Sequence, residues 1–94
     1  MSNIRFVWDP RKNIANKRKH GVSFEEAQTV FYDEYARLIE DPDHSDEEDR
    51  FIILGISARL RILVVCHCYD EEDEEIRIIS ARKATKHEQI HYKR

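Results

Sequence analysis

Thiolate and imidazole are the usual ligands of zinc, so Cys66-His67-Cys68, with His44 elsewhere in the chain, is the first group whose chemistry must be weighed. The run reads as a strand, however, and successive strand side chains point to opposite faces. Cys66 and Cys68 then share one face and His67 takes the other, so the three cannot converge on one ion. Two small apolar side chains are the simpler reading, and neither a metal nor a cofactor is expected. Same-face neighbours on a strand lie about 6.6 Å apart with parallel side chains, which also disfavours a Cys66-Cys68 disulfide and fits a reducing compartment. The segment DPDHSDEED resembles a calcium loop in charge alone, because it lacks the alternating ligand spacing and the closing glutamate; it reads as a solvated loop.

The basic residues point elsewhere. Arg77 falls on the last expected strand, Arg82 and Lys83 open the last expected helix, and Arg11, Lys12, Lys17, Arg18 and Lys19 mark the first helix. A helix opening flanked by arginine offers phosphate both oriented N–H groups and forked guanidinium donors. The same cations also serve as solubilising charges and as ion-pair partners for the 19 acids.

The elements that must position these groups are legible in the pattern. Ile4 to Trp8 alternates as a short strand expected at a sheet edge. Asp9-Pro10 then starts a helix running to about His20, with Gly21 in the left-handed closing position and Lys17, Arg18, Lys19 and His20 in the last turn. Ser23-Phe24-Glu25-Glu26 is a capping box opening a second helix to about Tyr32. Tyr35 to Glu40, Arg50 to Ser57, Arg61 to Tyr69 and Glu75 to Ser80 read as four strands with short connections, which favours an antiparallel meander. Ser80 is expected to cap a final helix from Arg82 to about Tyr92. The order β-α-α-β-β-β-β-α implies an α+β fold: a twisted, mostly antiparallel sheet with helices covering its apolar face.

A chain of 94 residues, 40% hydrophobic and 37% charged, has room for a single thin-cored domain over residues 1–94. No stretch approaches the roughly 18 apolar residues of a membrane span, and Met-Ser-Asn-Ile-Arg lacks the apolar region of a secretory signal, so a cytoplasmic protein is expected. The net charge of -3 is unevenly spread: residues 40–49 and 70–75 hold 13 of the 19 acids, leaving six acids against 16 Lys and Arg elsewhere. Screening acts over about 8 Å, so a locally cationic face remains open to a phosphate ligand.

From Trp8 to Ala27 (W-D-P-R-K-N-I-A-N-K-R-K-H-G-V-S-F-E-E-A) the chain resembles the BrnT family of type II toxins. The likeness continues through D-P-D-H-S-D-E-E-D-R (Asp41 to Arg50), L-G-I-S, V-V-C-H-C-Y and I-R-I-I-S-A-R-K-A-T-K-H-E (Ile76 to Glu88) and spans essentially the whole sequence. It implies a RelE-like fold, translation arrest by metal-independent RNA cleavage, and a ribbon-helix-helix antitoxin through which alone the toxin meets operator DNA. In such cleavage the ribose 2′-hydroxyl attacks the adjacent phosphorus while cations stabilise the growing charge. Matched to the family motif, Arg77 and Arg82 are the expected phosphate-binding, catalytic arginines, Glu48 and Arg50 end an E-D-R segment, and Lys83 is an expected RNA contact. Glu48 or His67 is the expected general base; His67 reads equally as a packed strand residue. Asp70 stands where the family pattern V-C-H-C-Y-R has arginine, which implies an attenuated nuclease. A non-catalytic module that binds antitoxin and acts in operon autorepression is the alternative. The antitoxin is expected to cover the sheet face and the basic helix opening.

Overall fold

The computed structural model describes residues 4–40 and 50–92. Among them lie five strands and three helices: β1 (Arg5–Val7), α1 (Pro10–His20), α2 (Phe24–Gln28) with a single 3₁₀ turn (Thr29–Tyr32), β2 (Arg37–Glu40), β3 (Arg50–Ile56), β4 (Ile62–Asp70), β5 (Glu75–Lys83) and α3 (Lys86–Tyr92). The sheet order is β1-β5-β4-β3-β2. Strands β2 to β5 form the expected antiparallel meander, and β1 lies at an edge, parallel to β5.

Local chemistry explains the helix boundaries. The Asp9 side chain accepts from the Arg11 N–H at 2.8 Å, Pro10 needs no donor at the first helical position, and Gly21 ends α1 at φ 73°. Ser23 accepts from the Glu26 N–H at 3.0 Å and so opens α2. The core then forms where Val22, Phe24, Ala27 and Val30 meet Ile53, Leu63, Val65, Ile76, Ile78 and Ala81 of the sheet. Buried Asn16 pins α1 down: its amide donates to the carbonyls of Val22 and Ala81, both at 2.8 Å, and its carbonyl accepts the Ala81 N–H at 3.1 Å. Buried Glu26 receives Arg61 and Ser57 (Ser57 Oγ to Oε2 2.7 Å), and the Arg61 guanidinium, the chief cause, holds its carboxyl below the usual range.

The chain's C-terminal third departs from expectation. β5 does not stop at Ser80 but continues to Lys83, and α3 begins only at Lys86. The pairing slips between Cys66↔Ser80 and His67↔Ile78, leaving Ile79 as one extra residue on β5. That bulge keeps Ile78 and Ala81 both on the core side, so the strand can run on past Ser80. The cap of α3 is Thr85: its hydroxyl accepts the Glu88 N–H at 3.1 Å, and Glu88 accepts the Thr85 N–H at 2.9 Å, a reciprocal capping box. Arg82 and Lys83 therefore belong to a strand. The expected basic helix opening is not formed.

Candidate functional site

The helices α1 and α2 cover one face of the sheet. The other face is covered at one end by α3 and the residues leading into it: Ala84, just after β5, and Tyr92 of α3 pack with Leu54, Val64, Ile52 and Ile62. The Tyr92 hydroxyl donates to Asp33 at 2.8 Å and ties the far end of α3 to the segment before β2. Between α3 and β2 this leaves a cleft of about 300 Å³. Its floor is Ile52, Leu54 and Val64, and its polar groups are Arg37, Arg82, Glu88 and His91.

The register shows what shares this open face. Directly opposed residues on adjacent strands lie on one side of a sheet. One row reads Arg37–Leu54–Val64–Arg82 and another reads Arg50–Cys68–Arg77, so each apolar row is bounded by an arginine on either side. At about 4.8 Å per strand, Arg50 and Arg77 are about 10 Å apart at their Cα atoms. Four guanidinium groups thus frame a small apolar and thiol-bearing surface.

Arg82 is held by a carboxylate partner across the turn. Its Nη1 and Nη2 meet Glu88 Oε1 and Oε2 at 2.8 and 2.9 Å, fork to fork. The guanidinium, chiefly by these hydrogen bonds, holds the Glu88 carboxyl down to about 2, against the opposing pull of burial, and Glu88 in turn raises Arg82. A carboxylate so placed orients the guanidinium plane; it does not take up a proton near neutrality.

The other expected site residues distribute unevenly. Arg77 and Arg82 are brought to one face, with Arg50 beside Arg77 across Cys68. Lys83 does not join them: it pairs with core residue Leu63 and borders a shallow recess with Leu60, Arg61, Ile62, Ala84 and Gln89. His67 is 3% exposed on the helix-covered side, with Nδ1 3.3 Å from the Val65 carbonyl and its ring 4.8 Å from that of Phe31. Burial pushes its pKa down, and its position is that of a packed strand residue. Cys66 and Cys68 are thiols on the opposite side from it, as strand alternation requires. Asp70 ends β4, diagonal to Arg77, and accepts the Asp73 N–H at 3.2 Å at the start of the acidic turn. Glu48 lies outside the described residues.

Residues 8–88 match the model of the family described as the ribonuclease toxin BrnT of type II toxin-antitoxin systems. The chain belongs to this family. A solved structure similar to it is the 1.1 Å crystal structure of the Brucella abortus ribonuclease toxin BrnT, 24% identical, with a TM-score of 0.68 over 89% of this chain and all of that one. No curated protein matches the chain. In this BrnT-family chain the sequence pattern missed three cleft residues: Arg37, Glu88 and His91. The signal for Glu88 was present in T-K-H-E, a capping box better formed than S-A-R-K because it places an acid three residues after the hydroxyl. His91 follows Glu88 by three residues and so shares its side of α3. Arg37 carried no signal until its strand partner was known. Among the described residues, no helix is long and apolar enough to cross a membrane.

Proposed function

We propose that this chain is an endoribonuclease toxin with a RelE-like arrangement that acts in the cytoplasm and arrests translation by cleaving RNA without a metal ion. The observation that carries this reading is the set of four arginines, Arg37, Arg50, Arg77 and Arg82, around one open sheet face. An RNA strand laid across that face meets guanidinium donors on both sides, with Arg77 and Arg82 at the reacting phosphate and Arg37 and Arg50 on its neighbours. The 2′-oxygen bonds to phosphorus as its proton leaves, and the bond from phosphorus to the 5′-oxygen breaks. The products are a 2′,3′-cyclic phosphate and a 5′-hydroxyl end. The growing charge on the phosphoryl oxygens is met by cations already in place, which is the role a metal would otherwise fill.

The partner that fits is a ribbon-helix-helix antitoxin whose apolar and acidic segment lies on the same open face, so that the toxin reaches operator DNA only through it. A second reading, a non-catalytic antitoxin-binding module, is favoured by one observation: Asp70 places a carboxylate diagonal to Arg77 where the family pattern has a cation. Incubating the purified protein with RNA, with and without a chelator, separates the two. Cleavage that survives the chelator and leaves 5′-hydroxyl ends is expected. Cleavage abolished by the chelator contradicts the metal-free reaction, and a folded protein that leaves RNA intact supports the module.

A further inference from the structure

The cleavage step needs a group that takes the 2′-hydroxyl proton. Several proton acceptors can be followed among the described residues. Glu88 is held ionised by Arg82. Asp33 is spent on the N–H groups of Tyr35 and Ile56 and on the Tyr92 hydroxyl. His67 is buried on the helix-covered face, away from every arginine of the open face. His91 alone of these lies at the cleft wall without being enclosed: it is exposed and borders the same space as Arg37, Arg82 and Glu88.

We propose that His91 is the proton-transfer residue of the cleft, a role that rests on the ribonuclease reading above. Its imidazole accepts the proton of the 2′-hydroxyl while the 2′-oxygen uses its lone pair to bond phosphorus. The 5′-oxygen departs with the electrons of its bond to phosphorus and takes a proton from water. The imidazolium then gives its proton to the hydroxide left behind, which restores both water and the neutral ring.

The groups that face His91 fit this use. On its own helix the His87 ring stands nearly perpendicular to it, centroids 5.4 Å apart, and Glu88 lies one turn back. Arg82 faces it from β5 and Arg37 from β2. Glu88 fixes the plane of the Arg82 guanidinium, so the reacting phosphate meets an imidazole beside a donor already oriented. An imidazole has two ring nitrogens, one able to accept a proton while the other carries one, which is the chemistry the step requires.

The test compares the wild-type chain with His91→Asn, His91→Gln, Arg82→Ala and, on the far side of the sheet, His20→Asn. Each is incubated with total RNA, free and ribosome-bound, from roughly pH 5.5 to 8, where imidazoles titrate. Circular dichroism monitors folding. His91 is exposed, so neither replacement opens the core. Both His91 variants are expected to cleave on the order of 100-fold more slowly and to lose the pH-dependent limb of the rate, with His20→Asn keeping both. If either folded His91 variant keeps the wild-type rate and limb while Arg82→Ala loses cleavage, the ribonuclease reading stands and the His91 assignment is overturned. If the folded wild type cleaves nothing, that reading falls and takes the assignment with it.

Discussion

Arg82 and Glu88 meet fork to fork, with both N···O distances at 2.8 to 2.9 Å, and the same Glu88 carboxylate accepts the Thr85 N–H that starts α3. One side chain therefore joins the end of β5, the turn and the first turn of α3 into a single unit, and it sets the angle at which Arg82 faces the cleft. Because Thr85 returns the favour by capping Glu88 N–H, neither group moves without the other.

This relationship gives a dependence of stability on acid. Glu88 is held down to about 2 from an ordinary value of 4.5, so its charged form is favoured by folding. Its contribution is fully present above 4.5 and is lost as pH falls through the interval toward about 2. Glu88→Gln keeps an acceptor for the capping box but removes the charge. Urea unfolding across that interval should show the wild-type advantage over Glu88→Gln shrinking as pH drops. Parallel curves for the two proteins would contradict the coupling.

A second prediction concerns Gly55. A Cβ built there would come within 2.9 Å of Val30 Cγ1 and 3.0 Å of both Ala36 Cβ and Asp33 Oδ2. The 3₁₀ turn and the chain entering β2 press against β3 at this point, so Gly55→Ala should cost about 1–3 kcal/mol through overpacking. At Gly21 space is open but φ is 73°, and Gly21→Ala should cost about 1–2 kcal/mol through backbone strain alone. Chemical denaturation of both variants checks the pair. A Gly55→Ala protein as stable as wild type would mean that the contact relaxes freely.

The sequence carried much of this arrangement because local rules and packing agreed over most of the chain. Asp9-Pro10 and Gly21 bound α1 as capping chemistry requires, Ser23 opens α2, and alternation through Leu63, Val65 and His67 puts His67 in the core. Agreement ended at Ile78-Ile79, where two adjacent apolar residues broke period two. Ser80 then offered itself as a cap, yet the bulge at Ile79 lets the ladder continue to Lys83. The cleft was less legible than the fold for a related reason. Arg37, Arg50, Arg77 and Arg82 come from three strands, β2, β3 and β5, and only the register makes them neighbours.

Asp70 supports a third prediction. It sits diagonal to Arg77 on the open face, and its carboxylate also accepts the Asp73 N–H at the acidic turn. Replacing it with arginine removes a competing anion and adds a donor for the transition state, so Asp70→Arg should raise RNA cleavage on the order of 100-fold. Loss of the turn contact should appear only as a small fall in stability, about 1 kcal/mol. Growth arrest and cleavage at matched expression provide the comparison, and equal rates would remove position 70 from the site.

The central claim is that the arginines of the open sheet face carry the chemistry. Its most direct test is the rate of RNA cleavage by Arg77→Ala and Arg82→Ala set against Lys17→Ala on the helix-covered side, all three verified as folded. The account predicts a loss of about 100-fold to 1000-fold for each open-face variant, the scale of one missing transition-state donor, and a near wild-type rate for Lys17→Ala. Arg77→Ala and Arg82→Ala proteins that cleave as fast as wild type would contradict it.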